Sequence, residues 1–169
     1  MSLPTLERLY DKHAQALFGF LLSLTRNEAD TRDILQELFL KLAKKPELLD
    51  GVREPRAFLI RLAHNQAIDL IRRHRTRQKN YEELAVETTE IFSCLPDTDE
   101  ETFRQALEKA LGELPAEQRV VIHLKLWEEM TFESIAEILE ISLNTAASRY
   151  RYGIDKLRGA LRPLYKEIT

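Results

Sequence analysis

Hydrophobic residues recur along most of this chain at three- and four-residue steps, the spacing that lines one face of an α-helix. From Pro4 to Thr25, Leu6, Leu9, Leu17, Leu21 and Leu24, with Tyr10 and Phe20 beside them, predict a long core helix that Asn27 stops. A second helix is predicted from near Asp30, with Ile34, Leu35, Leu38, Phe39 and Leu42 inward and Asp33, Gln36, Glu37 and Lys41 outward. Pro46 to Arg56 contains the turn signal Asp50-Gly51 and then Pro55, which suits a first helical position. A loop therefore precedes a third helix, Pro55 to about Arg75, with Leu59, Leu62, Ala63, Ala67 and Leu70 inside. Further on, Phe103, Leu107 and Leu111 start a helix that Gly112 should end, and Pro115 opens another with Val120, Val121, Leu124 and Trp127 inside.

Thr131 to Leu157 reads as two short helices joined by a tight turn. Ile135, Ile138 and Leu139 make the apolar face of the first, Ile141 fills the turn, and Ser142 can cap the second by accepting from the amide of Asn144 or Thr145. In the second helix Leu143, Ala146, Tyr150, Gly153 and Leu157 are expected to face inward, and the small Ala146 and Gly153 permit close helix approach. The opposite face carries Asn144, Thr145, Ser148, Arg149 and Arg151, donors and cations near the end that a helix-turn-helix presents to the major groove. The plainer alternative is a helical hairpin with a solvated basic face. Glu140 stands where such turns usually take Gly with positive φ, at a cost of about 1 kcal/mol.

Only helical periods occur, so the fold class is all-α. The 169 residues, 44% hydrophobic and 31% charged, suit two small domains. A formal charge of −3 does not suggest a nucleic-acid binder until its distribution is considered. Arg53 to Lys79 holds eight Lys and Arg against two acids, whereas Asn80 to Thr102 holds eight acids and no Lys or Arg. The acidic stretch contains Pro96 and no sustained period, which divides the chain into a domain at 1–79, a linker at 80–102 and a helix-turn-helix domain at 103–169. On the outer side of the Pro55 helix, Arg61, Asn65, Arg72 and Arg75 follow one stripe, with Arg73 beside it and Phe58 near its start. Guanidinium groups bind phosphate, an Asn amide pairs with a base edge and an aromatic ring stacks, so the stripe suits a backbone with exposed bases.

Cys94 is the single cysteine, so neither an internal disulfide nor a Cys-based zinc site is expected, as fits a reducing cytoplasm. MSLPTLERLY lacks the basic start and apolar core of a secretory leader, and the longest near-apolar run, Ala16 to Leu22, is too short to span a membrane. A soluble cytoplasmic protein is expected. His13, His64, His74 and His123 lack metal-ligand spacing, and no phosphate loop or nucleophile signature occurs. No enzymatic activity, cofactor or metal is expected.

Four segments in order resemble the small extracytoplasmic-function sigma factors of bacterial RNA polymerase. DILQELFLKLAK, Asp33 to Lys44, is similar to the family's polymerase-binding region, and PRAFLIRLAHNQAIDLIRRHR, Pro55 to Arg75, to its promoter-melting and minus-ten-reading helix. LGELPAEQRVVIHLKLWEEMTFESIAEILEIS and NTAASRYRYGIDKLRGAL resemble its minus-thirty-five-reading domain. The resemblance implies that Asp33, Gln36 and Glu37 meet the clamp helices of the polymerase large subunit. It implies that Arg61 and Asn65 capture a base flipped from the minus-ten element, under the Leu48 to Arg56 loop, and that Lys125, Ser148, Arg149 and Arg151 meet the minus-thirty-five element or its phosphates. Core RNA polymerase and promoter DNA, both duplex and melted non-template strand, are the implied partners, with an anti-sigma factor as a further candidate. Glu129 and Glu140 stand where the family often has Gly, and Ala147 where a basic residue is common. A dimeric helix-turn-helix regulator of duplex DNA would account equally well for Thr131 to Leu157, but it leaves the Arg61 stripe idle.

Overall fold

The computed structural model describes residues 3–78 and 98–168, all of whose regular elements are helices. Contacts between Cα atoms divide the chain into two compact units, Met1–Thr89 and Glu90–Thr169. Residues 79–97, which hold most of the stretch read as an acidic linker, lie outside the described ones.

In the first unit α1 (Leu3–Thr25), α2 (Glu28–Lys44) and α3 (Pro55–Gln78) pack mutually. The predicted stop at Asn27 is also a start. Arg26 takes the left-handed region at φ 52°, and the Asn27 side chain accepts from the Asp30 amide at 3.0 Å as the N-cap of α2. The fully buried Thr31 donates its hydroxyl to the Asn27 carbonyl at 2.8 Å, satisfying a polar group that would otherwise be costly to bury. Leu17, Phe20, Leu21, Leu38, Leu42, Leu59, Ala63 and Ala67 form the core. Ile60 joins them, although the periodicity had omitted it, while Leu62 and Leu70 are only half-buried. α3 packs on both α1 and α2, so its inner arc is wider than a single stripe. A 3-10 turn (Pro46–Leu49) and Gly51, at φ 76°, lead into Pro55 as the first residue of α3.

In the second unit α4 (Thr98–Glu113), α5 (Ala116–Leu126) and α6 (Phe132–Leu139) all pack on α7 (Leu143–Ile168). α4 begins inside the stretch assigned to the linker, at Thr98. It also runs through Gly112 to Glu113. α7 continues well past Leu157, through Pro163. Ala110, Leu111, Leu114, Ile122 and Leu157 form the core, with Leu107, Tyr150 and Ile154 packed against it.

Three inward assignments are corrected here. Tyr10 is 48% exposed, with its ring edge-on to Phe39 and centroids 5.0 Å apart. Trp127 is 37% exposed, because α5 ends at Leu126 and the ring instead stacks on His123 with centroids 5.6 Å apart. Leu143 is 47% exposed, because as the first residue of α7 it projects beyond the core that buries Ala146.

The close approach expected of Gly153 is present between α7 and α5. A Cβ there would lie 2.5 Å from Cδ1 of the fully buried Ile122 and 3.4 Å from Cβ of Gln118. Gly153→Ala is therefore expected to destabilise this unit by about 1 to 3 kcal/mol, the usual cost of overpacking. Adding Ile122→Val, which deletes the clashing Cδ1, should recover part of that loss in urea unfolding, whereas simple additivity would locate the strain elsewhere.

Candidate nucleic-acid and polymerase interfaces

The helix-turn-helix consists of α6, residues 140–142 and α7. Thr131 caps α6 by accepting from the Ser134 amide at 3.1 Å. Glu140 closes α6 at φ 56°, ψ 44°, with its N–H donating to the Glu137 carbonyl at 3.4 Å and the Ile141 N–H donating to the Ala136 carbonyl at 3.0 Å. These two bonds form a Schellman motif built on Glu where Gly is usual. Glu129, before α6, is left-handed as well at φ 52°. Ser142 then caps α7 through the Thr145 amide at 3.1 Å, one of the two partners expected.

Asn144 and Arg151 are exposed on α7, and Thr145 and Ser148 half-buried, the Thr145 hydroxyl lying 2.8 Å from that of Ser142. The two arginines differ in setting. Arg151 lies over the exposed Tyr152 ring, 5.3 Å from its centroid. Arg149, its side chain 29% exposed, reaches toward α5, with Nη2 3.8 Å from Oε2 of Glu117. Lys125 is half-buried with Nζ 4.6 Å above the Phe132 ring, which meets Tyr150 edge-on at 5.4 Å, so its amine faces an aromatic cluster joining α5, α6 and α7. Exposed Tyr152 lies four residues from Ser148, itself four from Asn144, a spacing that places it toward their side of α7.

In the first unit Arg61, Asn65, Arg72 and Arg73 are exposed on α3 and Phe58 is half-buried. Arg75 belongs to the same helix, but its side chain lies outside the described ones. The stripe is not uniformly basic, because exposed Asp69 stands one turn beyond Asn65. Nδ1 of His74 lies 3.8 Å from Oδ2 of Asp30, linking the far part of α3 to the start of α2. On α2, Asp33, Gln36, Glu37 and Lys41 are exposed as expected, and with them Leu40, 58% exposed. A leucine at that position reads as core from composition, and only its offset from Leu38 and Leu42 places it outside.

Among the described residues no group of three or more His, Cys, Asp or Glu could hold a metal ion, and no helix is long and apolar enough to cross a membrane.

Residues 9–77 match the family described as Sigma-70 region 2, and residues 104–157 that described as Sigma-70, region 4. The ECF RNA polymerase sigma factor SigL of Mycobacterium tuberculosis is 32% identical over 162 residues, covering 92% of this chain and 88% of SigL. This chain belongs to the extracytoplasmic-function RNA polymerase sigma factors. The RNA polymerase sigma factor CarQ of Myxococcus xanthus is 30% identical over 165 residues, covering 96% of this chain and 92% of CarQ. The fold is shared with the sigma factor RpoE of Bartonella quintana, solved in complex with the anti-sigma factor NepR, at a TM-score of 0.76, 21% identity and coverage of 92% of this chain and 96% of that one. The sigma factor directs core RNA polymerase to promoters at transcription initiation, as a DNA-recognition subunit. A stand-alone dimeric regulator is not favoured, because it would account for the region 4 match and leave the region 2 match without a role.

Proposed function

We propose that the two units of this sigma factor divide promoter recognition between them, residues 1–79 opening and holding the minus-ten element and residues 103–169 reading the minus-thirty-five duplex, in the cytoplasm where the polymerase works. The carrying observation is the two-sidedness of α3: Leu59, Ile60, Ala63 and Ala67 are buried, while Arg61 and Asn65 are exposed one turn apart. In this reading exposed Arg61 meets a phosphate, exposed Asn65 a flipped base, exposed Arg72 and Arg73 the strand beyond, and Phe58 and Arg75 of the same helix its two ends. On α2 exposed Asp33, Gln36 and Glu37 lie one to two turns before exposed Leu40, with exposed Lys41 following it, a polar face carrying one apolar residue that suits docking on the polymerase large subunit. The Bartonella relative's complex supports a regulator of the anti-sigma class as a further partner. Run-off transcription with a bacterial core polymerase and mapping of the start sites tests the assignment; the aligned upstream sequences should show both elements at constant spacing.

For the second unit, Asn144, Thr145, Ser148 and Arg151 face bases and phosphates directly, with Lys125 at the edge. Arg149 turns from Glu117 to a phosphate when DNA arrives. The Glu117 pair is a small obstacle, since Glu117 is 72% exposed and such pairs are worth about 0 to 1 kcal/mol. Arg149→Ala is expected to weaken binding to the minus-thirty-five duplex by about 1 to 3 kcal/mol and to lower the salt slope by about one unit. Unchanged affinity in both Arg149→Ala and Arg151→Ala would mean that another face of α7 meets DNA.

A further inference from the structure

We propose that Leu143 and Ala147 form an apolar strip on the recognition helix that reads the 5-methyl group of a thymine in the minus-thirty-five duplex. The proposal rests on α7 being the helix that enters the major groove. Leu143 is the first residue of α7 and 47% exposed, whereas Ala146, three positions on, is fully buried. Half-buried Ala147 follows Leu143 by one turn. Around them Asn144, Ser148 and Arg151 can exchange hydrogen bonds with base edges, which a leucine cannot do. An exposed leucine at the tip of such a helix gains only where it meets apolar surface, and the major groove offers one such group, the thymine methyl. The N-terminal residues of a recognition helix are those that approach base edges, so Leu143 is in reach of it. Ala147 extends the strip without placing a cation over the methyl.

The test starts from promoter DNA randomised in the minus-thirty-five region, from which the sigma factor assembled with core polymerase selects its preferred duplex. Each thymine of that duplex is then replaced singly by deoxyuridine, which keeps every hydrogen-bonding group and removes only the methyl. One replacement is expected to weaken binding about fourfold, the equivalent of one buried methyl group. Leu143→Ala should weaken binding to the thymine duplex similarly and then bind the thymine and deoxyuridine forms equally; Leu143→Ser should behave likewise, with Trp127 fluorescence confirming that both variants are folded. The proposal is overturned if the selected element holds no thymine, if no replacement changes affinity, or if Leu143→Ala still discriminates the two forms. In each of those cases a loss of binding in Arg151→Ala leaves α7 as the recognition helix. Failure of the wild type to select any upstream sequence would overturn both.

Discussion

Asn65→Ala is expected to lower run-off transcription from a linear promoter duplex about five- to 150-fold, the kinetic equivalent of one base contact worth about 1 to 3 kcal/mol. Its binding to core polymerase should be unchanged, because Asn65 lies on α3 and the docking face proposed above lies on α2. Asn65 is exposed, so its replacement should alter stability by no more than about 0.5 kcal/mol. Opening a duplex costs a few kcal/mol in lost stacking and pairing, and a residue that holds an extruded base offsets that cost only after the strands part. The amide of Asn65 can donate and accept toward a base edge, while Arg61 one turn earlier can hold the neighbouring phosphate. Permanganate reactivity of promoter thymines should fall with transcription on the linear template. On a template already open across the minus-ten region, much of the activity should return. Equal loss on both templates would place Asn65 in a step other than strand separation.

Arg119→Ala is expected to destabilise the second unit by about 2 to 4 kcal/mol, combining unsatisfied buried carbonyls with lost packing. Arg119 is 8% exposed, and its Nη1 donates to the Leu114 carbonyl at 3.1 Å and lies 3.5 Å from those of Leu111 and Gly112. α4 ends at Glu113, and since the Leu111 carbonyl already accepts from the Leu114 N–H at 3.2 Å, the guanidinium chiefly serves the Leu114 and Gly112 carbonyls at a helix end where a cation also complements the dipole. Trp127 is the only tryptophan and belongs to this unit, so its fluorescence reports the loss selectively. The urea midpoint followed by Trp127 should drop, and minus-thirty-five binding should fail at temperatures that the wild type tolerates. Arg119→Lys should recover part of the loss. A midpoint unchanged by Arg119→Ala would show that the carbonyls are satisfied by water.

The expected and observed placements of side chains differ in ways that local pattern cannot carry. The outward placement of Asn144 and Arg151 was legible because α7 is long and its buried positions, Ala146, Gly153 and Leu157, leave the opposite side polar. Leu143 and Trp127 were misplaced because periodicity gives a direction around a helix axis and not the point at which the packed neighbours end. The Arg149 and Glu117 pair could not be read either, since the two residues lie on different helices that only packing brings together.

By itself the sequence determined the helices, their order and the face of each that enters a core, because those depend on side-chain spacing and on caps such as Asn27, Thr131 and Ser142 that act within a few residues. The order of four motifs was enough to name the family. The tertiary structure alone decided which exposed residues share a surface, how Arg119 closes α4 and why α7 can pass so near Ile122. It also showed that the αL turn of the helix-turn-helix forms on Glu140, with main-chain bonds to Ala136 and Glu137 holding a conformation that its side chain disfavours. The shared surfaces and the approach to Ile122 depend on residues far apart in the chain, whose distances are set only when the helices pack, whereas the Glu140 turn and the Arg119 closure join nearby residues in a geometry that spacing alone does not specify.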